Sequence, residues 1–298
     1  MSKVHYTSCP VCGSSDINPL LTVEDHSVSR ERFTIWQCSN CSLRFTQDVP
    51  DEDSIGPYYQ SPDYISHTNT DKGLVNRIYQ KVRRFTLDQK AALVIEHTVK
   101  KGRVLDLGAG TGAFLHAMKH RSWDAEGIEP DEGARQKAKQ LFGLELSDTE
   151  HLQALEPRSF DAITLWHVLE HVHRLHPYME RIKLLLRDGG KIFIAVPNYE
   201  SLDGSIYKLY WAAYDVPRHL YHFTPRSMHL LAKEHGLNIV AKKPMWFDSF
   251  YISLLSSKYK NGKTNWLGAA WSGLRSNLTA ATNKDRCSSI VYILTKDQ

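Results

Sequence analysis

The chain has 298 residues, which is enough for one main domain with a small module. Because 42% of the residues are hydrophobic, we expect a folded chain rather than a disordered one. The formal net charge of +4 arises from 37 Lys and Arg against 33 Asp and Glu without a block of like charges, so a nucleic-acid partner is neither required nor excluded. No stretch approaches the roughly 20 apolar residues of a membrane span, and the polar first residues lack a secretory-signal pattern, so we expect a soluble, cytoplasmic protein.

Four of the five cysteines form two CxxC pairs near the start of the chain. Two thiolates on each of two tight turns can complete a tetrahedron around one ion, so we predict a structural zinc site in a zinc-ribbon module over residues 1–50. The alternatives are a redox CxxC, a disulfide pair or an iron centre, but neither pair opens a helix in a thioredoxin-like unit. The predicted zinc ligands are Cys9, Cys12, Cys38 and Cys41.

Residues 51–100 are predicted to be a connector followed by leading helices. Residues 50–67 are rich in Pro, Asp, Ser and Tyr, which is typical of an extended connector. Apolar residues then recur at helical spacing between residues 74 and 97, which predicts two helices.

Residues 101–298 alternate between short apolar strands and helical patterns. This alternation predicts an α/β fold with a doubly wound, seven-stranded, mostly parallel sheet of Rossmann-like type. A ligand is then expected beyond the carboxyl ends of the central strands. The predicted strands are residues 103–107, 125–129, 145–147, 161–166, 191–196, 237–242 and 289–295.

The segment VLDLGAGTGAFL, residues 104–115, predicts a buried strand, a glycine-rich turn and a helix. Gly108 and Gly110 permit a tight turn and a close approach to a ligand, and they also fit the GxGxxA dinucleotide fingerprint. Glu129 suits either ligand, because a carboxylate after the second strand accepts hydrogen bonds from ribose hydroxyls. Asp106 favours S-adenosylmethionine (SAM), since a carboxylate here would repel a pyrophosphate but suits a cationic ligand that has no phosphate.

The order of motifs resembles that of class I SAM-dependent methyltransferases. DLGAGTG resembles their motif I, GIEPD their second motif, SDTEHL their third-strand segment and RDGGKIFIAVPN their fifth-strand segment, while SFDAITLWHVLEHV resembles motif IV of the ubiquinone-biosynthesis-like group. Five ordered motifs imply a SAM-dependent methyltransferase rather than a nicotinamide-binding Rossmann protein or a non-catalytic relative of either fold. The cofactor-binding residues implied by the resemblance are Asp106, Gly108, Ala109, Gly110, Glu129, Pro130, Asp148, Thr149, Trp166 and His167.

A competing motif overlaps the fourth-strand segment. His167, Glu170 and His171 spell HxxEH, the signature of inverzincin metalloproteases. That chemistry needs both histidines on one face of a helix, whereas the pattern here predicts a strand through residue 166 and a loop at His167. Zinc hydrolysis is therefore the remote alternative, and we expect Glu170 and His171 to fix the loop.

The predicted zinc ribbon keeps a second alternative open, an RNA base methyltransferase that uses the module to bind RNA. A bacterial ribosomal-RNA guanine methyltransferase family also carries a cysteine zinc site before a similar domain. The balanced charge and the presence of WHVLEHV, where such enzymes have an NPPY-type motif, favour a small-molecule acceptor instead.

Two insertions, near residues 199–224 and 244–287, are rich in aromatic residues and follow strands whose ends should bear the ligand. We expect them to close over the cofactor as a lid together with the connector, and an apolar, aromatic or sugar-like acceptor to bind there. The alternatives are simple packing of these aromatics and, less favoured, a peripheral membrane contact. Arg218 could anchor an acidic substrate group. The candidate general bases are His167, Asp215, His219 and His222.

Overall fold

The computed structural model describes residues 2–60, 74–98 and 101–297, with the backbone alone for residues 74–80. The part of the predicted connector that contains Tyr64 lies outside the described residues. The strands within them are β1 (Lys3–Val4), β2 (Ile17–Glu24), β3 (Arg32–Cys38), β4 (Arg44–Thr46), β5 (Val49–Pro50), β6 (Arg103–Leu107), β7 (Asp124–Ile128), β8 (Phe160–Trp166), β9 (Leu186–Pro197), β10 (Tyr221–His222), β11 (Leu237–Pro244) and β12 (Ser289–Lys296).

The α-helices in the same residues are α1 (Leu74–His97), α2 (Ala113–Lys119), α3 (Glu132–Phe142), α4 (His151–Ala154), α5 (Leu175–Leu185), α6 (Leu202–Tyr207), α7 (Pro225–Glu234), α8 (Asp248–Asn261) and α9 (Trp266–Thr282). Short 3-10 helices lie at Gly56–Tyr59, Leu169–His171, Lys208–Tyr210, Ala212–Tyr214 and Lys284–Arg286. No helix of the described residues is long and apolar enough to cross a membrane.

The main sheet has six strands in the described part of the chain, in the order β11-β12-β9-β8-β6-β7. β7, β6, β8 and β9 are parallel, and β12 runs antiparallel to both of its neighbours. This confirms the Rossmann-like, mostly parallel α/β fold. The central strands carry near-continuous apolar runs because helices cover both faces of such a sheet.

The strand expected at residues 145–147 is reduced to one bridge between Ile128 and Ser147, so the sheet has six strands rather than seven. Ser147 donates its backbone N–H to Gly127 at 3.0 Å and accepts from the N–H of Glu129 at 2.9 Å. The segment is short and partly exposed, and it therefore adds little apolar burial that would extend the pairing.

Residues 74–97 form one continuous helix rather than the two that were predicted. The segment contains neither Gly nor Pro, so nothing in the backbone forces a break. Its second half packs Ala91 and Val94 against Phe114 and Met118 of α2, and this anchors α1 on one face of the main sheet.

The N-terminal sheet has the order β10-β4-β3-β2, and its edge strand β10 comes from the second half of the chain. Tyr221 lies opposite Phe45 and His222 opposite Arg44. A single hydrophobic core contains residues of this sheet, such as Ile35, together with residues of the main sheet. The two segments thus share a core, and the domain limits near residues 50 and 100 stay a prediction.

The two insertions differ in how they are packed. The first is largely buried, with Trp211 and Tyr214 inside the core, where their rings pack edge to face at 5.2 Å between centroids. The second forms the helix pair α8 and α9, which touch where Gly273 lies against Phe250. The aromatics of the first insertion therefore act as packing residues, as the simpler of the two interpretations expects.

Candidate active site at the carboxyl edge of the main sheet

The glycine turn follows β6 and has the backbone shape that only glycine adopts easily. Gly108 and Gly110 have φ angles of +66° and +54°. A Cβ on Gly108 would lie 2.5 Å from a methyl carbon of Val168, whereas one on Gly110 would meet nothing within 4 Å. Gly108 is thus required for close packing against the loop after β8, and Gly110 leaves open space beside the turn.

Glu129 lies at the end of β7 and supports this turn directly. One carboxylate oxygen accepts the N–H of Gly110 at 2.7 Å, and the other accepts the N–H of Asp131 at 3.0 Å. Burial raises the pKa of Glu129, and the two backbone hydrogen bonds oppose that shift. Each oxygen retains a second lone pair, which is what a pair of ribose hydroxyls would need.

Asp106 is buried under the turn rather than exposed beside it. Thr164 of β8 donates its hydroxyl to Asp106 at 2.6 Å. Burial raises the pKa of Asp106 to about 7, although the Thr164 hydrogen bond and the nearby Lys90 act in the opposite direction. The Asp106 side chain therefore links β6 to β8. It would act on a ligand through its electrostatic field rather than by direct contact.

The other residues predicted at the cofactor have varied surroundings. Asp148 and Thr149 are exposed, and Asp148 accepts the N–H groups of Glu150 and His151 at 3.1 and 3.3 Å, so it fixes its own turn. Pro130 is exposed at the carboxyl edge, and Ala109 is buried in the glycine turn.

Trp166, the last residue of β8, is held by two neighbours. Its ring packs edge to face on Phe114 of α2, with 5.5 Å between centroids, and the ammonium of Lys90 lies 4.6 Å above it. Its indole N–H is buried and has no hydrogen-bond partner among the described residues. The ring thus lies at the carboxyl edge, toward α1 and α2.

His167 directly follows β8 and is a poor general base in this arrangement. It has a φ of +60°, with one ring nitrogen 3.0 Å from Asp248 and the other 3.3 Å from Glu170. Burial opposes its protonation, but the hydrogen bonds to Asp248 and Glu170 outweigh burial and raise the pKa of His167 to about 9. At neutral pH the ring is therefore the charged imidazolium, which forms an ion pair with Asp248. This ion pair joins the start of α8 to the loop after β8.

His171 has the opposite character. Its Nδ1 lies 3.0 Å from the carbonyl oxygen of Arg218 and 3.1 Å from the hydroxyl of Tyr59. Burial and the neighbouring His219 lower the pKa of His171 to about 4. The imidazole is therefore neutral at physiological pH, and because Nδ1–H faces a carbonyl acceptor, Nε2 carries the free lone pair.

Glu170, His171 and His219 form a compact cluster. Their potential ligand atoms lie within 4.8 Å of one another, and Oε2 of Glu170 is buried without a hydrogen-bond partner in the described structure. These three residues can hold a divalent cation. His167 turns away to Asp248, and β8 runs through Trp166, so the helical HxxEH arrangement of an inverzincin is absent.

Asp215, His219 and His222 are held by other contacts. Asp215 pairs with Arg218 at 2.7 Å, and this guanidinium keeps the pKa of Asp215 low against the effect of burial. His219 lies 2.8 Å from the carbonyl oxygen of Ala213. His222 is enclosed and faces the Thr46 hydroxyl at 3.3 Å, and burial lowers its pKa well below the usual range.

Arg218 is a structural cation rather than an exposed anchor for substrate. Its side chain is 1% exposed, and its guanidinium lies 3.0 Å from Asp25 in the loop between β2 and β3. It also donates to the carbonyl oxygen of Tyr58 at 2.6 Å. Its own carbonyl oxygen is the partner of His171. Arg218 thus connects the N-terminal sheet to the candidate site.

The four predicted zinc ligands converge. Their sulfur atoms lie within 4.8 Å of one another, with Cys9 3.4 Å from Cys41 and Cys12 3.6 Å from Cys38. The edge of a zinc–thiolate tetrahedron is about 3.8 Å, from Zn–S bonds of about 2.3 Å. The hydrogen bond from Cys41 lowers the pKa of Cys9 to about 5, which favours the thiolate form that a metal ion binds.

Sequence reasoning missed three important residues: His171 as a neutral imidazole, Asp248 as the partner of His167, and Asp25 as the partner of Arg218. Of the three, only His171 could have been found from the sequence, because it belongs to the HxxEH motif. Asp248 and Asp25 lie 81 and 193 residues from their partners. No local pattern reports contacts of that kind.

The glycine turn backed by Glu129, at the carboxyl edge of a doubly wound sheet, defines a SAM-dependent methyltransferase of class I. The chain belongs to the family described as methyltransferase domain, whose match spans residues 78–242. Fold, motif order and family agree that it is an enzyme of this class.

Two relatives and one solved structure illustrate the similarity. A ubiquinone biosynthesis O-methyltransferase of Paraburkholderia phymatum is 36% identical over 104 residues, covering 32% of this chain and 44% of the relative. One from Cupriavidus pinatubonensis is 26% identical over 182 residues, covering 56% of this chain and 72% of the relative. A SAM-dependent methyltransferase from Archaeoglobus fulgidus matches with a TM-score of 0.50 at 18% identity, covering 75% of this chain and all of that one, and this shows the fold alone.

Proposed function

We propose that the chain transfers the methyl group of SAM to an oxygen atom of a small-molecule acceptor, with His171 as the general base. The observation that carries this proposal is the position of the His171 imidazole, which lies beside Glu170 in the 3-10 helix after β8 and has its Nδ1 oriented by the carbonyl oxygen of Arg218. A hydroxyl acceptor needs a base to take its proton as the methyl group arrives, whereas the activated sulfonium carbon needs none. The name of the ubiquinone-related relatives supports oxygen as the acceptor atom.

In the proposed reaction one group of residues acts on the acceptor and another binds the cofactor. The acceptor oxygen forms a bond to the methyl carbon while the carbon–sulfur bond breaks, and S-adenosylhomocysteine leaves. The acceptor proton passes to Nε2 of His171, and the imidazolium that forms is stabilised by Glu170, whose buried carboxylate has one oxygen without a partner in the described structure. His171 is oriented throughout by the carbonyl oxygen of Arg218.

On the cofactor side, we propose that Glu129 binds the ribose hydroxyls, while the turn at Gly108, Ala109 and Gly110 lies against the cofactor. Asp106 would contribute its field toward the cationic part of SAM. The remaining predicted contacts, at Pro130, Asp148, Thr149, Trp166 and His167, stay predictions that follow from the family resemblance.

We also propose that Cys9, Cys12, Cys38 and Cys41 bind one structural zinc ion. Four thiolates would close the coordination shell and leave no position for substrate, so the ion's contribution would be to hold the turn before β2 against the turn after β3. Metal analysis of protein purified without chelator should give one zinc per chain. Finding no metal would remove this part of the proposal.

The experiment that tests the function has two stages. A calorimetric titration should give micromolar binding of SAM and S-adenosylhomocysteine, on the order of −8 kcal/mol. Incubation with methyl-labelled SAM and either a metabolite extract or total RNA should then label a small molecule with alkali-stable, ether-type linkages. Label on RNA would instead support the nucleic-acid alternative, and SAM binding without transfer by wild type to either pool would contradict the proposal.

A further inference from the structure

Helix α9 presents its largest apolar side chains to solvent. Leu267 is 86% exposed, and Trp266 and Trp271 are 62% and 60% exposed. Leu274 and Leu278 continue the same row, because positions 267, 271, 274 and 278 follow the spacing of one helix face. This row is the outward face of α9.

The inward face of α9 is built from small residues. Ala269, Gly273, Ser276 and Ala280 are the buried positions of the helix. A Cβ on Gly273 would lie 2.7 Å from the ring of Phe250, and Ser276 donates its hydroxyl to Asp203 at 2.7 Å. The helix is therefore attached through close backbone contact and a buried hydrogen bond, and its Trp and Leu side chains are not used for packing within the described structure.

The stretch of sequence that contains α9 carries charges of one sign. Between Asp248 and Asp285 the sequence contains no Asp or Glu, and its ionisable cations are Lys258, Lys260, Lys263, Arg275 and Lys284. Lys260 lies in the last turn of α8, and Arg275 lies on α9 between Trp271 and Leu278. Exposed Trp and Leu in a stretch whose only charged side chains are Lys and Arg are the combination that binds an interface of acyl chains and anionic head groups.

We propose that the outward face of α9 docks on an anionic lipid surface. A second copy of the chain is the less suitable occupant, because a symmetric contact would bring two stretches of like charge together. Lipid phosphates instead neutralise the same cations while the Trp and Leu side chains enter the interface. This is a binding function separate from methyl transfer, and it needs neither SAM nor an acceptor.

Docking would also bring the candidate active site close to the lipid. The first residue of α8, Asp248, contacts His167 in the loop after β8, and α8 packs directly against α9. The helix pair therefore connects the outward face to the carboxyl edge of the main sheet. An acceptor held in the membrane interface could reach the site without entering bulk water.

The test is sedimentation of the full-length protein with vesicles of phosphatidylcholine containing 30% phosphatidylglycerol, and with vesicles of phosphatidylcholine alone, in 100 mM NaCl. The proposal expects at least tenfold stronger partitioning to the anionic vesicles. The double variant Leu267→Ser/Trp271→Ser should reduce that binding at least tenfold, and Arg275→Glu should reduce it several-fold.

A matched control changes two similarly exposed leucines elsewhere, Leu141→Ser/Leu184→Ser, and should leave vesicle binding within twofold of wild type. Far-UV circular dichroism and SAM affinity of each variant establish that it is folded. Equal partitioning to both vesicle types, or an equal loss in the control variant, overturns the proposal. It is also overturned if wild type ignores vesicles and forms a dimer that Leu267→Ser/Trp271→Ser dissociates, since a second copy would then cover the face.

Discussion

The two halves of the candidate site are built from very different stretches of sequence. On the cofactor side, the glycine turn and its supporting carboxylate lie 19 residues apart, and both belong to one β-α-β unit. On the acceptor side, His171 is oriented by a residue 47 positions away, and that residue is in turn held by Asp25, which is 193 positions from it. The first half is local in sequence, whereas the second depends on the N-terminal sheet.

This difference predicts that the two halves respond differently to changes elsewhere in the chain. A local unit keeps its geometry when the rest of the chain changes, because its backbone hydrogen bonds are internal. The acceptor half requires β4 to pair with β10 and the Asp25–Arg218 ion pair to form. Changes in the N-terminal sheet should therefore affect transfer more than cofactor binding.

Arg218→Met should cause the largest loss of stability. The substitution leaves the buried Asp25 and the neighbouring Asp215 without their cation, which typically costs about 3–5 kcal/mol when a buried pair is broken. Urea denaturation measures it directly. The control is Arg174→Met, at a side chain that is 82% exposed, and it should change the free energy of unfolding by less than about 0.5 kcal/mol. Similar effects of the two substitutions would show that Arg218 does not link the two sheets.

His171→Ala should lower kcat by about 100-fold, the range expected for loss of a general base, with little change in SAM affinity. Because the pKa of His171 is lowered to about 4, wild-type kcat/KM should stay level from pH 5 to 8 and fall only at lower pH, where the base is protonated. The exposed His229→Ala is the matched control and should retain wild-type kcat. An acid limb centred near pH 6.5 that persists in His171→Ala would assign the base elsewhere.

Glu129→Ala should weaken SAM binding by about 1.5–3 kcal/mol, because a charged acceptor of two hydrogen bonds is lost. Calorimetric titration gives the affinity, and Glu132→Ala at the exposed start of α3 is the control. The acceptor half should keep its structure in this variant. Unchanged SAM affinity would remove Glu129 from the cofactor site.

The ion pair between His167 and Asp248 should give a smaller, pH-dependent contribution. The folded-state pKa of His167 is raised to about 9, so this stability is fully present below the unfolded value near 6.5 and is lost as pH rises through about 9. With allowance for partial solvent exposure the loss is about 1–2 kcal/mol. Asp248→Asn should reduce the slope of unfolding free energy against pH in this window. Parallel slopes in the variant and wild type would mean that His167 is neutral.

The sequence predicted the parts of the molecule that depend on short-range patterns. The alternation of strands and helices predicted the main sheet, and the glycine turn marked its carboxyl edge. Both features depend on residue periodicity and on local backbone conformation. The division of residues 74–97 into two helices and the strand at residues 145–147 were wrong in detail, since propensity does not report how much pairing or packing a segment obtains. His171 could not be assigned as a base, because its low pKa results from burial beside His219.

A paired measurement on Cys38→Ser tests most directly whether the acceptor half depends on the N-terminal sheet. SAM affinity and the rate of methyl transfer should be determined on the same preparation, alongside wild type. Loss of one cysteine ligand should loosen β3 and β4, and with them β10 and the Arg218 contact to His171. The account predicts at least a tenfold slower transfer with SAM affinity within about threefold of wild type. A parallel loss of SAM affinity and transfer, or transfer at the wild-type rate, would contradict it.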